Sequence, residues 1–242
     1  MRDYKVETEK RVAFIRSQLE DAGAKGIVFG NSGGKDSALV GILCKMACEN
    51  TVGLIMPCSS KCNYGDDLSD ALLISKLFRI EKRMVDLTKT SDAIKKALKN
   101  ATTLTSSTEV NIAPRLRMTA LYAVAAAEGR LVAGTGNKSE RHMGYFTKWG
   151  DGAFDFNPIA DLTVTEIYKF LVYLDVPKRI IDKAPSAGLY EGQTDEGDMG
   201  VTYKAIDEYL NSGVCDPKDM DIIANYHKVS AHKRIPPAVY EE

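Results

Sequence analysis

The chain has 242 residues, 44% of them hydrophobic and 27% charged, with 32 Lys and Arg against 33 Asp and Glu; that suits one α/β core and is short for two, so a single domain over 1–242 is expected. The balanced charge argues against nucleic acid or an anionic membrane as the main partner. The longest apolar run, residues 121–127, falls far short of the roughly 20 residues of a membrane span, and residues 1–10 are charged throughout, unlike a signal peptide, so a cytoplasmic protein is expected.

Residues 4–20 carry Val6, Val12, Phe14, Ile15 and Leu19 among charges and read as an amphipathic helix laid on the core or on a partner. Residues 25–29 are a short β-branched run, a buried strand, and residues 38–47 have Leu, Ile and Ala at helical spacing. A second strand is expected at 51–57, a crossover helix at 66–78 and a third strand at 83–87. Short apolar strands alternating with helices of a dozen residues specify an α/β fold, a doubly wound parallel sheet with helices on both faces. Its ligand should lie at the carboxyl ends of the strands.

Residues 100–108, rich in Thr and Ser, read as a polar linker, and Pro114 opens a helix to 128 that is apolar on more than one face. Such a helix needs cover on two sides, either at the centre of one fold or in a homodimer interface. Residues 131–133 make the fourth strand. The five cysteines, with Cys44 and Cys48 at i,i+4 and Cys58 and Cys62 around a Ser-Ser-Lys turn, read as reduced thiols rather than a metal site.

Gly30-Asn31-Ser32-Gly33-Gly34-Lys35-Asp36-Ser37 joins the first strand to its helix. A strand, a glycine-rich turn and a helix aim free backbone N–H groups and a helix dipole at an anion, so a phosphate chain is the expected ligand. It is not a Walker A loop, because Asp36 follows Gly34-Lys35 and position 29 is Phe; nor does the glycine spacing match the dinucleotide fingerprint. Ser-Gly-Gly also occurs in ordinary surface turns. Ser-Gly-Gly-x-Asp-Ser after a strand resembles the pyrophosphate loop of the N-type ATP pyrophosphatases, which cleave ATP between the α and β phosphates and form acyl-adenylates.

Gly134-Thr135-Gly136-Asn137-Lys138-Ser139-Glu140 follows the fourth strand as the first loop follows its own, so both should open on one sheet edge, with Glu140 facing Asp36 across the phosphates. Two carboxylates beside phosphate oxygens are what Mg²⁺ takes. Singly, Asp36 reads equally as a helix cap and Glu140 as a solvated loop residue. Tyr145-Phe146-Thr147-Lys148-Trp149-Gly150-Asp151-Gly152 packs three aromatics, a cation and a carboxylate into eight residues. Core anchors are one role for such rings; stacking on a heteroaromatic ligand, with Lys148 on an anionic group, is the other. Residues 184–200, with four glycines, read as a lid or a surface loop. His142 and His227 lack partners in the pattern and are expected to be structural or exposed.

In order, the 32–37 loop, residues 111–118, 134–140, 145–152, 185–189, 192–196 and 232–234 resemble the motif series of the ammonia-dependent NAD synthetases, and the series spans nearly the whole chain. The resemblance implies an adenine nucleotide α-hydrolase-like fold and a homodimer. It implies a ligase that adenylates the nicotinate carboxylate of deamido-NAD with ATP, after which ammonia displaces AMP. It further implies that Gly30, Asn31, Ser32, Gly33, Gly34, Lys35, Asp36, Ser37, Met56, Thr135 and Ser186 hold ATP, and that Asp36 and Glu140 bind Mg²⁺. Arg115, Tyr145, Phe146, Lys148, Asp155, Asp195, His232 and Lys233 would then contact deamido-NAD. Asp36, Glu140 and Lys148 would carry the catalysis. Pro114, where members often have a small residue, is benign at a helix start. Val164 stands where many members have a lysine on the ATP phosphates, and Lys35 is expected to supply the missing charge. Another adenylating ligase with the same loop, or an ATP sensor without turnover, are the competing readings. Lys35→Ala is expected to raise the ATP requirement strongly in steady-state kinetics; unchanged kinetics would remove Lys35 from the phosphates.

Overall fold

The computed structural model describes residues 2–58, 64–186 and 194–241. In chain order the elements are α1 (Tyr4–Ala22), β1 (Gly26–Gly30), α2 (Lys35–Ala47), β2 (Thr51–Ile55), α3 (Asp66–Leu77), β3 (Glu81–Met84), α4 (Thr88–Leu98), α5 (Ser106–Glu109) and α6 (Ile112–Glu128). They continue through β4 (Arg130–Ala133), α7 (Lys138–Met143), α8 (Val164–Tyr173), α9 (Lys178–Ile181), α10 (Asp195–Met199), α11 (Tyr203–Ser212) and α12 (Pro217–Val229) to a 3₁₀ turn, Ala231–Lys233.

The strands form a parallel sheet in the order β3-β2-β1-β4. From β1 the chain moves outward through β2 and β3, then returns to the other side of β1 with β4. The reversal leaves a crevice between the carboxyl ends of β1 and β4, where two connections diverge.

The side chains of β1 alternate between two cores. Ile27 and Phe29 join Ile15 of α1, Leu39 and Leu43 of α2, and Phe170 of α8. Val28 joins Val52, Leu54 and Val132 under Leu121 and Ala125 of α6. The sheet is therefore covered on both faces, as expected from strands with no polar side. The Phe29 ring is wedged between α2 and β2, and a Cβ at Gly41 would sit 2.5 Å from its Cζ; glycine there sets how closely α2 can lie on the sheet. A third cluster, with Met143, Val164, Met199, Tyr203, Ile206 and Ile223, packs α7, α8 and α10 to α12 together.

The structure shifts two expectations. The third strand lies at Glu81–Met84 rather than 83–87, and its polar, largely exposed residues mark a protected sheet edge rather than a buried run. Residues 88–98, between that strand and the expected linker, form α4, on which only Ser91 is buried. The linker itself includes the short α5. Residue 1 and the lid residues 187–193, together with Cys62, lie outside the described residues.

His142 on α7 and His227 on α12 stack at 4.1 Å, and His227 Nδ1 lies 2.9 Å from the His142 carbonyl. Burial, then His227, Arg234 and Lys138, push the His142 pKa from 6.5 down to about 4. The fold keeps His142 neutral while the unfolded chain takes up a proton at its ordinary pKa. The contribution to stability is thus complete above pH 6.5 and lost as pH falls toward 4. His142→Phe is expected to reduce the acid loss of unfolding free energy across that window by about 1 kcal/mol, measured by urea titration at several pH values; an unchanged slope would mean His142 is protonated in the folded protein.

Candidate active site

The loop after β1 is held from beneath. Asn31 is 2% exposed. Its N–H donates to the Leu54 carbonyl, and its Nδ2 donates to the Ala71 carbonyl at 3.1 Å and to Ser75 Oγ at 3.0 Å. Its Oδ1 accepts the Gly33 N–H at 3.3 Å. Ser32 and Ser37 hydroxyls lie 3.1 Å apart, and Ser37 Oγ donates to the Gly34 carbonyl. Gly33 has φ +77°, and a Cβ there would fall 2.3 Å from the Asp67 carbonyl oxygen. The turn thus passes too close to α3 for any side chain and leaves its N–H groups at the N-terminus of α2, which has no side-chain cap.

The loop after β4 turns into α7 through a reciprocal cap. Asn137, fully buried, accepts the Glu140 N–H on its Oδ1 at 2.9 Å, while Glu140 Oε2 accepts the Asn137 N–H at 3.0 Å. Asn137 Nδ2 then donates to Asp36 Oδ1 at 3.1 Å. Asp36 and Glu140 are brought to one place, each feeling the other's field. Burial and Asp36 raise the Glu140 pKa well above the ordinary carboxylate range, against the opposing influence of Lys35.

Lys35 departs from the sequence expectation in direction. Its side chain is 6% exposed and turned inward, with Nζ 2.8 Å from Asp36 Oδ2 and 5.5 Å from the Tyr203 ring centroid. Burial lowers its pKa, but Asp36 and Glu140 outweigh this and hold it above the usual lysine value. Val164 is buried in the third cluster at the start of α8. Met56 follows β2 with its sulfur-bearing chain beside Gly30, and its carbonyl accepts from Arg117 Nε at 3.0 Å. Thr135 is half-buried on the second loop, and Ser186 is exposed at the last described position before residue 194.

The aromatic segment forms a wall against the N-terminus of α6 and the C-terminal turn. Arg115 Nε donates to the Lys148 carbonyl at 3.3 Å, and Lys148 Nζ donates to the His232 carbonyl at 2.8 Å. Lys233 Nζ donates to the Gly144 and Phe146 carbonyls, both at 2.8 Å, and lies 5.4 Å from the Phe146 ring centroid. The Tyr145 hydroxyl donates to Asp198 at 2.8 Å, an anchoring contact, whereas Trp149 is 59% exposed with φ +63°.

Two expected ligand contacts are engaged by the protein. Asp155 Oδ2 accepts the Val132 N–H at 2.7 Å and its Oδ1 accepts from the Tyr122 hydroxyl, so it finishes the outer edge of β4. Asp195 is 4% exposed at the start of α10, and accepts from the Tyr203 hydroxyl at 3.0 Å. Residues absent from the sequence reading of the site include Tyr203 and Asp207, which takes the Ser139 hydroxyl and the Thr165 N–H. Asn137 has no role of its own in the sequence reading, although its Asn-x-x-Glu spacing to Glu140 is that of a capping box.

A glycine-rich turn at the N-terminus of α2 and a second strand-end loop bearing a carboxylate, tied together at the switch point, are the arrangement of an α/β nucleotide-dependent enzyme. A family model described as NAD synthase matches residues 7–237. NH(3)-dependent NAD(+) synthetase of Carboxydothermus hydrogenoformans is 46% identical over 98% of each chain, and that of Archaeoglobus fulgidus 43% identical over 84% of this chain and 81% of its own. Among solved structures, NMN synthetase from Francisella tularensis superposes with a TM-score of 0.94 and 36% identity over all of both chains. NH3-dependent NAD synthetase from Campylobacter jejuni gives 0.80 and 34%, also over all of both. The chain belongs to the NAD synthase family.

Gly33→Ala is expected to destabilise the protein by about 2 kcal/mol or more, from a strained backbone and a clash with α3, and to weaken ATP binding in the same preparation. Denaturant unfolding and calorimetry check both, and a stable variant with normal ATP affinity would show that the turn needs no glycine.

Proposed function

We propose that the chain is a carbon–nitrogen ligase that makes NAD from deamido-NAD, ATP and ammonia through a nicotinate acyl-adenylate, releasing pyrophosphate and AMP. The observation that carries this reading is the bond from Asn137 to Asp36, which unites the two strand-end loops of a chain that matches NH(3)-dependent NAD(+) synthetases end to end. The protein has little covalent work to do: the carboxylate attacks the α-phosphorus, and ammonia then meets the adenylate. Positioning and charge stabilisation dominate such transfers. The uncapped N-terminus of α2 presents N–H groups to phosphate, with the Ser32 and Ser37 hydroxyls beside it, while Asn31, Gly33 and Gly34 hold the turn in shape through the Gly33 N–H on Asn31 and the Gly34 N–H on Ser32. Gly30, Met56, Thr135 and Ser186 border the nucleotide.

Asp36 and Glu140 would hold Mg²⁺, and the donor set fits: two neighbouring carboxylates beside a glycine-rich turn, with Lys35 ion-paired to Asp36 and close enough to Glu140 for its charge to act there. A divalent ion there would neutralise charge on the triphosphate and on the leaving pyrophosphate. Lys148, Arg115, Tyr145, Phe146 and His232 form the deamido-NAD side, with Asp155, Asp195 and Lys233 as its frame. The chain acts as one domain. Homodimerisation is supported by α6, whose outer face leaves Tyr122, Ala123, Ala126 and Ala127 exposed. Unbridged thiols at Cys44, Cys48 and Cys215 accord with the cytoplasm; among the described residues no helix is long and apolar enough to cross a membrane.

The close superposition on an NMN synthetase supports a second reading, in which the same chemistry amidates nicotinate mononucleotide. Pyrophosphate release measured with each acid separates them. A kcat/KM at least about tenfold higher for deamido-NAD is expected, a difference of 1.4 kcal/mol in transition-state binding, and the reverse order would favour the mononucleotide. Asp36→Asn and Glu140→Gln are each expected to lower kcat/KM by about a hundredfold or more with either acid; near-normal turnover in both would move the chemistry elsewhere.

A further inference from the structure

Lys35 sits where a metal-binding carboxylate should be open. Its ammonium takes Asp36 Oδ2 at 2.8 Å, and Asn137 Nδ2 takes Oδ1 at 3.1 Å, so both oxygens of Asp36 are engaged. The pocket around the ammonium is built: Lys35 is 6% exposed, Tyr203 lies beneath it at 5.5 Å and is 3% exposed, and the Tyr203 hydroxyl is held by Asp195. Asp36, Glu140 and Tyr168 face Lys35, and Asp195 bears on Glu140 from α10. One positive charge thus pairs with Asp36 and bears on Glu140, with Asp195 behind them.

We propose that Lys35 is a built-in counter-cation that occupies Asp36 in the nucleotide-free protein and closes the carboxylate pair to free divalent ions, so that metal enters only together with a triphosphate. The arriving phosphates supply the negative charge that draws the ammonium off Asp36, and the metal takes its place. A divalent ion on the half-buried Asp36 would meet the ammonium charge at short range, so metal binds weakly while Lys35 stays on that carboxylate. Lys35 acts through Asp36 and is a positioning residue. The inference rests on the reading of Asp36 and Glu140 as the metal carboxylates.

Mn²⁺ binding to the full chain, followed by the paramagnetic resonance signal of free Mn²⁺ with no substrate present, tests it. Wild type is expected to bind Mn²⁺ weakly alone and at least about tenfold more tightly with α,β-methylene-ATP. Lys35→Met, close in length and uncharged, is expected to bind Mn²⁺ alone at least about tenfold more tightly than wild type, and adding Asp36→Asn should abolish the gain. A folded Lys35→Met with wild-type Mn²⁺ affinity would overturn the proposal, as would tight Mn²⁺ binding by wild type without nucleotide. Should Lys35→Met not fold, the wild-type pair of measurements and Lys35→Gln decide it by the same criteria. A purely structural lysine would change the unfolding midpoint and leave Mn²⁺ affinity alone. These titrations use neither deamido-NAD nor ammonia, so failure of the amidation assay with the Mn²⁺ result intact would count against the proposed function and not against this role of Lys35.

Discussion

The site depends on one side chain that never reaches solvent. Asn137 caps α7, fixes the backbone of Glu140 and donates to Asp36, and thereby ties the end of β4 to the end of β1. Among the described residues this is the hydrogen bond that joins the two loops, and the sheet alone sets their separation only at the strands. An amide can do this because it donates and accepts at once. A carboxylate in its place would add a like charge beside Asp36 and Glu140, and an apolar residue would leave the Glu140 N–H without its cap. The geometry of two loops, and with it the charge in the crevice, follows from a buried asparagine.

Much of this was readable in the residues before any coordinates, for a physical reason. Strands β1 and β2 are buried on both faces and β4 in its second half, so their apolar runs have no polar alternation to blur them, and the glycine-rich turn can be built only with glycine where φ is positive. What was misread was amphipathic or exposed. α4 buries only Ser91, so its polar sequence looks like linker, and β3 lies at an edge, where Glu, Lys and Arg replace the apolar residues of a central strand. In the site, residue types and order were legible but directions were not. Lys35 turns inward because Tyr203, 168 residues later, provides a ring for it to lie against, and Asp155 turns toward the β4 backbone because that strand would otherwise have an unpaired N–H. Long-range partners of this kind leave no local periodicity.

The crevice concentrates charge that would be costly to bury singly. Replacing a buried ion pair with apolar residues is often neutral or stabilising, whereas removing one member is not. The third cluster shows that this part of the fold can pack apolar side chains, since Val164, Met143 and Met199 lie in it beside Tyr203. Lys35, Asp36 and Glu140 are therefore better understood through the ligand they await than through stability. The raised pKa of Glu140 agrees, because burial first and the nearby Asp36 second make its charged form costly in the free protein.

The two lysines of the aromatic wall divide their labour on the same grounds. Lys233 is half-buried, gives two hydrogen bonds to carbonyls and lies against Phe146, and burial lowers its pKa; withdrawing it would take the donor from two partly buried carbonyls at once. Lys148 gives one bond to one carbonyl of the exposed C-terminal turn, with Trp149 beside it. An ammonium on a neutral carbonyl gains less than one on an anion, so an anionic group of a substrate can draw Lys148 away while leaving only a carbonyl that water can satisfy. Lys233 is the post that holds the 144–146 segment and the C-terminal turn together, and Lys148 is the one of the two whose charge an anionic group could claim at small cost.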